Sequence, residues 1–135
     1  MRTYVLDANA LLTLIDNKPD QIKVNSLLKE ALRGHSQTLM SSVNFAEVYG
    51  LLVRRHGKDT ALQSVSAIRP LPIQLAEATT QRCLHAAEIK EIYKLYYVDA
   101  FAAALAIEHK ATLVTSDTDF KKLGQNFPIL WLRTT

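Results

Sequence analysis

The chain has 135 residues, a net charge of +3 and 48% hydrophobic residues, as expected of one ordinary globular domain. Its single cysteine, Cys83, excludes an internal disulfide and fits a reducing, cytoplasmic location. No run of about 18 apolar residues occurs, so we expect no membrane span. The apolar start is interrupted by Asp7 and Asn9, which is untypical of a signal peptide. The mild positive charge permits a nucleic-acid partner without requiring one.

Short apolar runs alternate with helical patterns along the first part of the chain. A strand is predicted at residues 3–6, and a helix follows it as far as Ile15. The next helix covers about residues 24–32, where apolar side chains recur every three or four positions. A second strand at residues 38–41 leads into a long helix over 43–56. This alternation of strand and helix predicts an α/β domain with a mostly parallel sheet.

The second half of the chain continues the alternation with a weaker third strand. Asp59 or Thr60 is the expected cap of a short helix that precedes this strand. The strand is predicted at residues 69–74 and contains Pro70 and Pro72, which cannot donate to a ladder. It should therefore lie at an edge of the sheet. The remaining predicted elements are helices at 75–92 and 98–109, a strand at 112–115, a short helix ending at Leu123 and a strand at 129–132.

Acidic residues follow the predicted strands closely. Asp7 ends the first strand, Glu47 lies in the helix after the second, and Asp117 and Asp119 follow the fourth, while Asp99 opens a helix. Right-handed crossovers bring all strand carboxyl ends to one edge of a parallel sheet. Carboxylates that meet there repel one another, and a bound Mg²⁺ or Mn²⁺ removes the conflict. The sequence therefore indicates a divalent-metal site at this edge.

Each acid also has an ordinary structural interpretation. Asp7 could cap the first helix, and Asn44 with Glu47 has the spacing of a capping box. Asp99 could be an acid favoured by the helix dipole, and the acids after the fourth strand could be turn residues. The shared location at one sheet edge is what favours a site over four separate structural roles.

Four motifs resemble those of a known family: LDANALL at 6–12, SSVNFAEV at 41–48, VDAFAAALA at 98–106 and LVTSDTDF at 113–120. In this order they resemble PIN-domain ribonucleases, and most closely the small VapC-type toxins of bacterial and archaeal toxin–antitoxin pairs. The resemblance covers essentially the whole chain, as a single PIN domain over residues 1–135. It implies a three-layer α/β/α fold with a central parallel sheet of five strands in the order 3-2-1-4-5.

The resemblance also implies roles for individual residues. The acids that match the family's catalytic, metal-binding positions are Asp7, Glu47, Asp99 and Asp117. Asp119 stands at a position that is often acidic and is a possible further metal ligand. The small polar residues that match positions supporting the acids by hydrogen bonds are Asn9, Ser41 and Thr115. Mg²⁺ or Mn²⁺ is the implied cofactor.

The implied reaction is endonucleolytic hydrolysis of RNA phosphodiesters. The basic residues placed to hold the RNA backbone around the acidic pocket are Arg54, Arg55, Lys58, Lys121 and Lys122. Such toxins are typically homodimers, and a cognate antitoxin protein neutralises them. The resemblance therefore implies an RNA substrate, an antitoxin partner and a second copy of this chain.

Four other functions compete with this one. A haloacid-dehalogenase-like phosphatase needs D-x-D after the first strand, where Asn9 stands at the third position. A two-component receiver domain needs a phosphoacceptor Asp after the third strand, which here reads RPLPIQ. A non-catalytic PIN-like module that binds RNA or protein is disfavoured by the presence of all four acids. A PIN nuclease that serves RNA processing rather than toxicity is not excluded by the sequence.

Overall fold

A five-stranded parallel sheet lies at the centre of the molecule, which is described over residues 1–134 by a computed structural model. The strands are β1 (Arg2–Leu6), β2 (Ser36–Ser41), β3 (Gln74–Ala76), β4 (Thr112–Thr115) and β5 (Ile129–Trp131). Their order in the sheet is β3-β2-β1-β4-β5, and every pair is parallel. This confirms the predicted fold class and strand order.

Helices cover both faces of the sheet. In the described part of the chain they are α1 (Ala8–Ile15), α2 (Gln21–Leu32), α3 (Ser42–His56), α4 (Lys58–Ile68), α5 (Thr80–Tyr93), α6 (Tyr97–His109) and a 3₁₀ helix (Thr118–Leu123). Within residues 1–134, no helix combines the length and apolar character that crossing a membrane requires.

Alternate residues of the central strands divide the core into two layers. Val5 of β1 pairs with Leu39 of β2 and Leu113 of β4, and these three belong to the cluster built with α5 and α6. The next residue, Leu6, belongs to a cluster on the opposite face, with α1 and α2. The period-two alternation of a strand therefore produces a three-layer α/β/α domain.

Helix α6 lies close to the sheet because its buried face is made of alanines. Ala100, Ala102 and Ala103 are fully buried, and α6 contacts β1, β2 and β4 as well as α3 and α5. Small side chains permit this close approach of helix and sheet. As a result, the first turn of α6 is held near the carboxyl ends of the strands, and Asp99 in that turn is half-buried.

The third strand differs from its prediction. It begins at Gln74, after Pro70 and Pro72, whereas residues 69–74 were predicted. Leu71 N donates to Ile68 O at 2.9 Å and Ile73 N to Leu71 O at 2.7 Å, so the proline segment forms turns. Proline cannot donate to a ladder, and the strand starts only where donors become available. Its predicted position at the sheet edge is confirmed.

Two helix starts were also predicted wrongly. Helix α5 begins at Thr80 rather than at residue 75, because Thr79 caps it by accepting a hydrogen bond from Arg82 N at 3.2 Å. Helix α4 begins at Lys58, so the cap expected at position 59 or 60 lies inside the helix. Gly57 is the residue before it, with φ of 86°, a conformation that favours glycine.

Candidate metal centre

The carboxyl ends of β1 and β4 define the site. These strands are adjacent and parallel at the centre of the sheet, where the strand order reverses direction. In open α/β sheets, ligands bind in the crevice at this switch point. Asp7 directly follows β1, and Asp117 follows β4 after one intervening residue. The two acids therefore stand on either side of the crevice.

Three of the predicted acids form a compact group. Asp99, Asp117 and Asp119 each offer a carboxylate oxygen, and these oxygens all lie within 4.8 Å of one another. Asp117 is oriented by the 3₁₀ helix that it caps, since its Oδ1 accepts a hydrogen bond from Asp119 N at 2.9 Å. Among residues 1–134, Asp7 and Glu47 lie outside this close group, although their charges interact with it.

Asp7 is nearly buried, with 4% of its surface exposed. Its Oδ1 accepts a hydrogen bond from Ala10 N at 2.8 Å, so it caps α1, and its Oδ2 accepts one from the Thr115 hydroxyl. Burial raises the pKa of this carboxyl to about 7 against the effect of both hydrogen bonds. The nearby charges of Asp99 and Asp117 raise the pKa further.

The pKa values of two further acids, Asp99 and Glu47, are raised by the same causes. Burial and then the charges of Asp117 and Glu47 raise the pKa of Asp99 to about 6. Burial and the charge of Asp117 also raise the pKa of Glu47, while the Asn44 amide beside it has the opposite effect. Like-charged carboxylates that share a half-buried crevice favour the protonated form unless a cation is present. The site is therefore electrostatically suited to a positive ligand.

The polar residues predicted to support the acids have different surroundings. Thr115 Oγ1 donates to Asp7 and accepts from Asp117 N at 2.9 Å, so it links two of the acids. Ser41 instead caps α3, because its Oγ accepts from Val43 N at 3.2 Å. The main-chain oxygen of Asn9 accepts from the Thr13 hydroxyl at 2.8 Å, and Asn9 is one of the residues that line the cavity described next. Support of the acids by Ser41 and Asn9 stays a prediction.

A cavity of about 430 Å³ opens between α1 and α3. Glu47 and Asn9 line it together with Arg54, one of the residues predicted to bind RNA. The cavity thus places a cation and an acid on the same wall.

The remaining basic residues differ in how freely they can contact a ligand. Arg55 is paired with Asp16, with Nη1 and Oδ2 at 3.1 Å. Lys122 donates from Nζ to Lys94 O at 3.1 Å, and its charge lowers the pKa of Asp99. The other predicted RNA-binding residues, Lys58 and Lys121, are exposed.

Asn44 is the residue whose position the sequence interpretation missed. It was read as a possible capping residue, but Ser41 is the cap, and Asn44 lies inside α3 with 1% of its surface exposed. It shares the buried stripe of α3 with Val48 and Leu52 at intervals of four residues. The signal was present in the sequence: an amide at a position that the helical period assigns to the core.

The sheet order, together with carboxylates at its switch point, defines an α/β domain with an acidic site. A model of the PIN-domain family matches residues 4–126. The chain belongs to this family, and the resemblance inferred from the four motifs is confirmed. A comparison with curated proteins finds no match.

Solved structures share this fold over nearly the whole chain. VapBC2 of Rickettsia felis, bound to a promoter DNA fragment, aligns with a TM-score of 0.75 at 20% identity, over 95% of this chain and 97% of its own. DNA-bound VapBC of Salmonella typhimurium aligns with a TM-score of 0.76 at 18% identity, over 96% of this chain and 98% of its own. VapC20 of Mycobacterium tuberculosis, a toxin that cleaves the sarcin–ricin loop, aligns with a TM-score of 0.70 at 16% identity. The alignment covers 90% of this chain and 95% of VapC20. At these identities, the likeness establishes a common fold.

Proposed function

We propose that this PIN-domain protein is a metal-dependent endoribonuclease and the toxin of a toxin–antitoxin pair. The observation that carries the proposal is the convergence of the Asp99, Asp117 and Asp119 carboxylates within 4.8 Å, beside the buried Asp7. Such a group is costly without a counter-charge, and the raised pKa values of Asp7 and Asp99 reflect that cost. A metal-dependent nuclease would use these carboxylates to bind its metal ion, which would supply the counter-charge.

The donor set fits Mg²⁺ or Mn²⁺. All the candidate ligands are carboxylate oxygens, which hard divalent cations prefer over softer metals. Asp99 and Asp117 would hold the ion, with Asp119 as a further ligand and Asp7 acting directly or through water. A bound divalent cation supplies Lewis-acid activation of water and neutralises charge on a phosphodiester.

Glu47 is the candidate for proton transfer at this site. It is an exposed residue of α3 that lines the cavity, and partial desolvation of its carboxyl raises its pKa. A general base is most effective when its pKa approaches the working pH, so the shift suits a group that orients and deprotonates the attacking water. Asp7 is fixed by Ala10 N and Thr115, and this rigidity suits a residue that positions the site.

RNA is the proposed substrate, held through its phosphates by the basic residues named above. Arg54 is the best placed, since it shares the cavity wall with Glu47. The toxin role is supported by the likeness of the fold, over nearly the whole chain, to VapBC toxin–antitoxin proteins and to VapC20, a sarcin–ricin loop cleaving toxin. The proposal includes a cognate antitoxin and a homodimer, by analogy with the toxin–antitoxin complexes that share this fold.

An RNA-cleavage assay tests the proposed activity. Antitoxin-free wild-type protein should cut RNA with Mg²⁺ or Mn²⁺, should stop when a chelator is added, and should lose activity in Asp7→Asn. Asp59→Asn is the matched control, because it removes an exposed acid in α4 and should leave cleavage unchanged. If the folded wild-type protein neither cuts RNA nor binds Mn²⁺ in a parallel titration, the nuclease proposal is wrong.

A growth assay separates a toxin from a nuclease of RNA processing. Expression of the wild-type chain in a bacterial host that lacks the antitoxin should arrest growth, and the Asp7→Asn variant should not. Normal growth with an enzyme that cleaves RNA in vitro would favour the RNA-processing role. Normal growth with an inactive enzyme would favour the non-catalytic module.

A further inference from the structure

We propose that Asn44 is a positioning residue whose side-chain amide joins α3 to the first turn of α6 and so sets the spacing of Glu47 and Asp99. The inference rests on the proposed metal-dependent function of these acids. Its amide lies beside the Glu47 side chain as well as against the backbone next to Asp99. The residue acts through the two helices that carry the acids.

The contact is long-range and specific. Asn44 Nδ2 donates to Val98 O at 3.0 Å, across 54 positions of sequence. Val98 directly precedes Asp99, and Asn44 lies three residues before Glu47 on the same helix. The amide therefore links the backbone beside one acid to the helical turn that carries the other. A helical carbonyl can accept such a bond in addition to its own because it has two lone pairs.

Packing alone does not account for an amide at this position. Asn44 is 1% exposed, and its Oδ1 accepts no hydrogen bond from any residue between 1 and 134. A buried acceptor without a partner costs free energy, and an apolar side chain avoids that cost. Val48 and Leu52 fill the same stripe of α3 with apolar groups. The hydrogen bond that Asn44 Nδ2 donates to α6 thus offsets the cost of the unpaired Oδ1.

The Asn44 hydrogen bond stabilises the first turn of α6, which has few hydrogen bonds of its own. The first turn of a helix is its weakest part, since its amides lack intrahelical partners. Ala100 N donates to Tyr96 O at 2.9 Å, so the regular ladder begins there, one residue after Asp99. With the Asn44 bond added, the first turn is tied to α3. Without it, we expect this turn to open more often and Asp99 to lose its fixed distance from Glu47.

Two substitutions remove the donor in different ways. Asn44→Leu keeps the volume of the side chain approximately, whereas Asn44→Ala leaves a cavity, so their effects on stability should differ. Leu52→Ala is the matched control, because it removes a buried side chain two turns further along the same helix, in a core cluster that contains no residue of α6. Two properties are measured: Mn²⁺ affinity by titration, and amide hydrogen exchange of Ala102 relative to Leu105 in metal-free protein.

Both Asn44 variants should bind Mn²⁺ about 10-fold more weakly than wild type, as loss of an outer-shell partner typically does. Their Ala102 amide should exchange about 10-fold faster relative to Leu105, which reports local opening. Leu52→Ala should lower stability and change neither property. If one Asn44 variant fails to fold, the measurements on the other variant test the inference.

The outcomes distinguish this inference from the proposed function. An unchanged exchange ratio in a folded Asn44 variant, or wild-type Mn²⁺ affinity in it, overturns the positioning role. An equal loss of Mn²⁺ affinity in Leu52→Ala also overturns it, because the effect would then follow general destabilisation. If the wild-type protein binds no Mn²⁺, the metal site is wrong, and the exchange ratio alone decides whether Asn44 fixes α6.

Discussion

Replacing Asp7 by Asn should stabilise the metal-free protein while removing its activity. Asn is as good a helix cap as Asp, so its side-chain oxygen can still accept from Ala10 N. What disappears is the charge of a carboxyl with 4% exposure that stands next to Asp99 and Asp117. Removal of a buried, repelled charge should raise the free energy of unfolding.

The size of the effect follows from the pKa of Asp7, which folding raises from 3.8 to about 7. The folded protein holds this proton more tightly, so the associated stability is complete below pH 3.8 and is lost as the pH rises through about 7. A shift of about three pKa units at 1.36 kcal/mol each corresponds to a loss on the order of 4 kcal/mol. The Asn variant escapes this loss, apart from the cost of rearranging its bond to Thr115.

Chemical denaturation of both proteins in chelator, at several pH values from 4 to 8, measures the difference. The variant's advantage should be small near pH 4 and should grow to about 2 to 4 kcal/mol at pH 8. Comparing the two proteins at each pH cancels the titration of other groups. Added Mn²⁺ should stabilise the wild type and reduce the advantage. An advantage that does not change with pH, or a variant less stable at pH 8, would refute the electrostatic argument.

Two further substitutions test neighbouring parts of the site. Asp99→Asn should weaken Mn²⁺ binding without unfolding the domain, since it removes a repelled charge and keeps the side-chain size; unchanged Mn²⁺ affinity in a titration would exclude Asp99 as a ligand. Thr115→Val should lower the unfolding free energy by about 1 to 3 kcal/mol, because Asp7 Oδ2 and Asp117 N lose their shared partner. Denaturation by urea measures this loss, and an equally stable variant would show that the Thr115 bonds contribute nothing net.

The sequence was sufficient to predict the sheet and the acids at its edge because both depend on short-range patterns. Apolar runs locate the strands, and the right-handed crossover fixes which ends meet. The third strand was misplaced because apolar character alone marked residues 69–74, while the two prolines displace pairing to Gln74. Asn44 was missed because its partner, Val98 O, lies 54 positions away and only tertiary packing brings them together.

In the structure, a capping role does not exclude an acid from the acidic site. Asp7 and Asp117 are both helix caps, and each uses Oδ1 for the cap while its charge still interacts with the neighbouring acids. A carboxylate has two oxygens, so one can be fixed by a backbone N–H while the other faces a ligand or a supporting hydroxyl. The cap is then the means by which the chain aims the acid. This is why Asn at position 7 separates the two roles: it preserves the cap and removes the charge.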